Sequence, residues 1–159
     1  MLRHINPDHY LQTDSGRVYT EERNKMAWQR MYADLEQTLR DSAGSVKLYV
    51  VMGVQGGGKT TWIQSQLPML QEAVFLDAAL PAKRHRAQAL SLARSAGVPA
   101  FGVWINVPLE LALERNSKRA DDERVPEAAV RSVYSMIEPP SVEEGFVEVI
   151  EVSEALPRY

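Results

Sequence analysis

The run Gly53-Val54-Gln55-Gly56-Gly57-Gly58-Lys59-Thr60 carries the clearest chemistry in this chain. Closely spaced glycines let successive backbone N–H groups converge on one anion with no Cβ in the way. The Lys59 ammonium would reach the outer phosphates of a nucleotide, and the Thr60 hydroxyl would ligate Mg²⁺. The run follows the apolar residues Val46, Leu48, Tyr49, Val50, Val51 and Met52 and opens into Thr61 to Leu67, which can be a helix. A strand, a glycine-rich turn and a helix start make a phosphate-binding loop. The expected phosphate-holding set is Gly53, Gln55, Gly56, Gly57, Gly58, Lys59, Thr60 and Thr61.

Other polar groups stand where chemistry is possible. Asp77 ends the apolar run Ala73-Val74-Phe75-Leu76. There it would join Thr60 as a metal-site residue through a Mg²⁺-bound water, touch an acceptor, or simply cap a turn. Asp8 follows Pro7 and is either a site carboxylate or a turn cap. Arg115 and Arg119 are four apart and so share a helix face. Lys83, Arg84, His85 and Arg86 form a basic cluster, which would contact a phosphorylated acceptor or form an exposed helix face. His4 and His9 have no partners at metal-ligand spacing.

These residues need elements to position them. A short strand at Arg3 to Asn6 would end at Pro7, and Gln12 to Arg17 carries a Ser-Gly turn signal. Trp28, Met31, Tyr32, Leu35 and Leu39 fall at helical spacing between Thr20 and about Arg40, with Thr20 as N-cap. Strands are expected at Val46–Met52, Ala73–Asp77, Phe101–Val107 and Phe146–Val152. Helices are expected from the phosphate loop to about Leu67, from Pro81 to about Ser95 with Ala87, Leu90 and Ala93 inward, from Pro108, and from Val125-Pro126 to about Ile137. Ser153 to Tyr159 reads as a loose end. Strands alternating with helices imply an α/β fold with a mainly parallel sheet, whose ligands sit at the carboxyl ends of the strands.

Composition narrows the class. The 159 residues suit one domain spanning 1–159. No apolar stretch reaches membrane-spanning length, and no secretion signal is evident. With no cysteine, disulfides and thiolate metal sites are excluded. A net charge of −3 argues against broad nucleic-acid binding. A cytoplasmic location is expected, with no membrane partner and no indicated protein partner.

The second half resembles the kinase domain of polynucleotide 5′-hydroxyl kinases, a branch of the P-loop kinases. The resemblance rests on Arg94-Ser95-Ala96-Gly97-Val98-Pro99, Asn106-Val107-Pro108, Arg115-Asn116-Ser117-Lys118-Arg119, Val125-Pro126, Tyr134 and Pro139 through Phe146. It implies a kinase-type P-loop three-layer fold with about five strands. ATP and Mg²⁺ are the implied cofactors, and Arg115 and Arg119 the implied lid arginines over ATP. Arginine suits that place because its planar fork grips phosphate oxygens.

The chain departs from the family's order. Lys59 and Asp77 are only 18 positions apart, too few for the family's aspartate-bearing strand and long helix. Ile5-Asn6-Pro7-Asp8-His9-Tyr10 is similar to that strand end, and Tyr19 to Leu39 to the helix after it. The resemblance thus implies a unit, residues 1–45, moved in front of the phosphate loop, with its strand at the sheet edge beside the Asp77 strand. The alternative is an unrelated N-terminal helix packed on the sheet. In the rearranged order Asp8 would accept the proton of an acceptor hydroxyl. The catalytic set is then Asp8, Lys59 and Arg119.

Two further departures concern the acceptor. The family's arginine three residues after the aspartate is Leu11 here, and its Asp-Thr-Asn motif is Asp77-Ala78-Ala79. The function expected is γ-phosphate transfer from ATP to a polynucleotide 5′-hydroxyl or to a small-molecule hydroxyl. The alternatives are a nucleotide-binding module without kinase activity and a toxin-like sugar-nucleotide kinase.

Overall fold

The computed structural model describes residues 2–153. Residues 154–159, most of the expected loose end, lie outside that range; Ser153 itself closes the last strand.

Strand β1 (His4–Ile5) leads into a 3-10 turn (Pro7–Leu11) whose N-cap Asn6 accepts the Asp8 N–H. The polar stretch after it forms a small hairpin of β2 (Gln12–Thr13) and β3 (Gly16–Arg17). Helix α1 (Glu21–Asp41) starts where the Thr20 side chain accepts the Arg23 N–H, with Glu21 and Glu22 against the positive end of its dipole. Then come β4 (Lys47–Met52), α2 (Lys59–Gln66), β5 (Ala73–Asp77), α3 (Lys83–Ser95), β6 (Ala100–Asn106), α4 (Leu109–Ser117), α5 (Glu127–Ser135) and β7 (Glu148–Ser153).

The large sheet has five strands in the order β1-β5-β4-β6-β7, and every pairing in it is parallel. Parallel neighbours need long crossovers, which the helices supply. Alternation along β4 sets the two faces: Leu48, Val50 and Met52 face one core, Tyr49 and Val51 the other. The first core takes Met31, Leu35 and Leu39 of α1 with Ala89, Leu90 and Ala93 of α3. The second takes Ile63 of α2, Ala112 of α4 and Val130 of α5. A helical layer covers each face, giving three layers. Each fully buried leucine or methionine in them contributes about 1.5–3 kcal/mol.

The edge strand is the informative one. Residues His4 and Ile5 pair with Phe75 and Leu76, so the N-terminal segment lies beside the Asp77 strand. Helix α1 then crosses the sheet and returns the chain to β4 at its centre. This brings Asn6 and Asp8 to the carboxyl end of the sheet, where the phosphate loop also opens.

Helix α3 corrects the expected inward face. Ala87 is exposed, and the buried positions are Arg86, Ala89, Leu90 and Ala93. The helix is rotated because Arg86 points inward. Its guanidinium pairs with Glu144 at 2.8 Å and donates to the Leu80, Pro81 and Glu138 carbonyls. The basic cluster is therefore not one solvated face: Lys83 and Arg84 are exposed, whereas Arg86 is a buried tie between α3 and the segment before β7.

Candidate active site

A cleft of about 1080 Å³ opens at the carboxyl ends of β1, β4 and β5. Gln55, Gly56, Gly58, Lys59, Thr60 and Thr61 line its floor. Gly56 and Gly58 have φ of 77° and 101°, a region that favours glycine. A Cβ on Gly56 would lie 2.5 Å from the Ala112 carbonyl, so only glycine lets the loop pack against α4. Gly53 and Gly57 stand outside the lining. Their N–H groups donate to the Ala79 and Val54 carbonyls, so they shape the loop.

Asp77 is 1% exposed and is the hub of the site. Its Oδ2 accepts from the Thr60 hydroxyl at 2.7 Å, from His4 Nε2 at 2.9 Å and from the Asn6 amide at 3.1 Å. Its Oδ1 is buried and has no hydrogen-bond partner among the described residues. Burial pushes the carboxyl pKa up, but the His4 hydrogen bond, the Lys59 charge and the Thr60 hydrogen bond outweigh it and hold the pKa below the usual value. The group is therefore an anion.

The Lys59 ammonium donates to the Val54 carbonyl at 3.3 Å. Burial pulls its pKa down and Arg119 adds to that, while Asp77 and Asp8 oppose it. Three charged groups of the cleft thus act on Lys59. Asp8 lines the same cleft and is partly exposed, with Arg17 3.5 Å from its carboxylate.

The third wall is the segment between α4 and α5. Arg115 donates to the Gly57 carbonyl at 3.3 Å, and Arg119 and Arg124 join it in the lining. Arg124 is held by Asp121 and by the Arg119 carbonyl. Lys118 is exposed and pairs with Glu114, so it is a solvated residue. Asn116 closes this loop at its base: its amide donates to the Val125 carbonyl at 2.7 Å and accepts the Val125 N–H at 3.1 Å. The hairpin clasps the loop from the other side. Arg17 donates its backbone N–H to Asp122 at 2.9 Å and approaches Glu123 at 3.7 Å.

Sequence reasoning missed several of these roles. His4 pairs with Asp77, because β1 runs parallel beside the end of β5. Arg86 shares the helical spacing of Leu90 and Ala93, a signal that its side chain turns inward. Arg3 is absent from the cleft lining and anchors the β1 edge to the Leu67, Leu70 and Ala73 carbonyls. Among the described residues, no group of three or more His, Asp or Glu side chains forms a metal cluster.

A buried carboxylate oxygen without a partner, next to a hydroxyl at a phosphate loop, suits a hard divalent cation. Thr60 and Asp77 fit Mg²⁺ by the chemistry of their oxygens.

The parallel sheet, with a glycine-rich turn leading from β4 into α2, has the layout of a P-loop fold. A family model described as an AAA domain, AAA_33, matches residues 70–140, which is less than half the chain and begins after the phosphate loop. The match supports a P-loop kinase-type layout. Two solved structures are similar in fold. The crystal structure of AvrRxo1-ORF1:AvrRxo1-ORF2 with sulphate ions matches with a TM-score of 0.50 and 13% identity, over 75% of this chain and 57% of that one. The native AvrRxo1-ORF1:-ORF2 complex matches with a TM-score of 0.51 and 15% identity, over 81% and 60%. The chain thus spans less than two thirds of the length of either. No curated protein matches. Both are structures of a complex between AvrRxo1-ORF1 and AvrRxo1-ORF2. Among the described residues, no helix is long and apolar enough to cross a membrane.

Proposed function

We propose that this chain is an ATP-dependent phosphotransferase that moves the γ-phosphate to a hydroxyl. The observation that supports it best is the cleft itself. It gathers Asp8 from the N-terminal segment with Lys59 and Thr60 of the phosphate loop, Asp77 of β5, and Arg115 and Arg119. Phosphoryl transfer requires phosphate positioning, charge neutralisation and an oriented nucleophile, and little else.

Each role falls to a named group. The loop N–H groups and Lys59 hold the phosphates, and Arg115 and Arg119 neutralise charge as it spreads over the transferring oxygens. Mg²⁺, held by Thr60 and through Asp77, would supply further neutralisation when bound. Asp8 accepts the hydroxyl proton of the acceptor as the oxygen attacks phosphorus and the bond to the β-phosphate breaks. His4 and Asn6 keep Asp77 turned toward Thr60.

The rearranged order is part of the same proposal. Strand β1 beside β5, with Asp8 just past its end, is where the resemblance would put the aspartate-bearing strand. The family match beginning at residue 70 agrees with a chain whose earlier parts follow a different order.

The test is transfer of label from γ-labelled ATP with Mg²⁺ to a panel of oligonucleotide, nucleoside and sugar acceptors. Label on any one of them supports the proposal. Tight ATP binding with no transfer to any acceptor would favour a binding module.

A further inference from the structure

We infer that the acceptor is an uncharged alcohol carrying a flat ring, of about nucleoside size, and not the end of a nucleic-acid strand. The inference rests on the phosphotransferase reading above and concerns the half of the cleft beyond Asp8. Three side chains of α1 at four-residue spacing, Asn24, Trp28 and Tyr32, line that half. They stand on one helix face, and the Trp28 and Tyr32 rings are 6.1 Å apart and tilted at 43°. Opposite them, at the end of β5 and on α3, lie Leu80, Pro81 and His85.

The polar tips of this wall are available. The Asn24 amide, the Trp28 indole N–H and the Tyr32 hydroxyl bond to no protein group among the described residues. His85 Nδ1 accepts the Ala82 N–H at 3.0 Å. That bond fixes the tautomer, so the neutral ring carries its proton on Nε2, and burial, with Arg84 and Arg86 nearby, pulls the His85 pKa down. Apolar faces with a few neutral donors and acceptors are the chemistry that holds a ring and orients a hydroxyl.

Charge argues in the same direction. A strand end brings phosphodiesters, and those need cations. The basic cluster supplies none here: Arg86 is buried against Glu144, and Lys83 and Arg84 lie outside the lining. Arg17 is the cation nearest Asp8, and it is flanked by Asp8 and Glu123. Beside Asp8, Asp122 and Glu123 the lining holds Arg17 and Arg124, and Arg124 is already paired with Asp121, so the surplus of positive charge that a strand of phosphodiesters needs is missing there. Lys59, Arg115 and Arg119 lie on the phosphate-loop side, where ATP itself would use them. At about 1080 Å³ the cleft exceeds the roughly 300–1,000 Å³ common for one small ligand, so there is room for a second.

The experiment compares kcat/KM for four acceptors at saturating ATP: a purine nucleoside, an aryl glycoside, glucose and a 5′-hydroxyl oligonucleotide. It repeats the series with Asn24→Ala, Trp28→Leu and Tyr32→Phe. Preference for the ring-bearing neutral alcohols is expected, with KM for the acceptor rising about tenfold in Trp28→Leu and KM for ATP unchanged. Preference for the oligonucleotide, weakening steeply with salt, would overturn the inference and leave the kinase reading intact. Equal use of glucose and the ring compounds would also overturn it.

Quenching of Trp28 fluorescence by each acceptor, read as the difference between the wild type and Trp28→Leu, separates the two claims. Saturable quenching by a ring compound without transfer would sustain the acceptor site and sink the kinase reading. Neither quenching nor transfer by any ring compound sinks the inference.

Discussion

At the scale of single residues, the site is organised around one carboxylate. Asp77 gathers a hydroxyl, an imidazole and an amide onto one oxygen and leaves the other unpartnered. Lys59 stands nearby, its pKa drawn down by burial against the opposing pull of the Asp77 carboxylate. Its substitution in Lys59→Ala is expected to cut transfer by about 10²–10³-fold, by loss of charge stabilisation. ATP affinity, measured by calorimetry, is expected to fall as well. Arg86 makes the opposite kind of contribution. It is wholly buried and fully hydrogen-bonded, so removing it strands the Glu144 charge. Arg86→Ala is expected to cost about 3–5 kcal/mol in a denaturant titration.

At the scale of elements, the loop between α4 and α5 is held at three points: Arg115 on the phosphate loop, Asn116 on Val125, and the hairpin on Asp122 and Glu123. The hairpin contact needs a glycine. Gly16 has φ of 105°, and a Cβ there would lie 2.7 Å from the Asp122 carboxylate. Asn116→Ala strands the Val125 N–H and carbonyl and is expected to cost about 1–3 kcal/mol. Trypsin should then cut the arginine-rich loop faster, and ATP should restore part of the protection.

The elements were largely legible in the sequence. Periodicity located α1, β4, β5 and β6 to within a residue or so, because each has a regular apolar repeat and a clear stop. The glycine-rich turn between β4 and α2 was legible from local spacing, and Asp8, which the resemblance put beside it, lines the same cleft. The roles of His4, Arg86 and Arg17 were not. Each is defined by a contact across 58 or more residues, or between the hairpin and the loop before α5, and no local pattern encodes such a contact. Arg86 in particular read as surface because charge near other charges usually is.

At the scale of the whole molecule, stability should fall with acid over two pH ranges. His9 has its pKa lowered, mostly by burial and then by the His4 charge. A histidine held neutral in the fold binds fewer protons than when unfolded, so its stability contribution is complete above 6.5 and falls as pH drops below that value. Asp77 has its pKa lowered as well, so its contribution is complete above 3.8 and is lost as pH falls further, through its folded value. Melting temperature against pH should show both losses. His9→Gln should remove the upper one and Asp77→Asn the lower.

The central claim is that Asp8, delivered by an edge strand that precedes the phosphate loop in sequence, completes the site. Single-turnover transfer of γ-labelled phosphate, wild type against Asp8→Asn, tests it most directly. The account predicts unchanged ATP binding and melting temperature with transfer slowed about 10²–10⁴-fold, the share of a proton acceptor. Transfer at the wild-type rate in Asp8→Asn would contradict it and return residues 1–45 to a structural role.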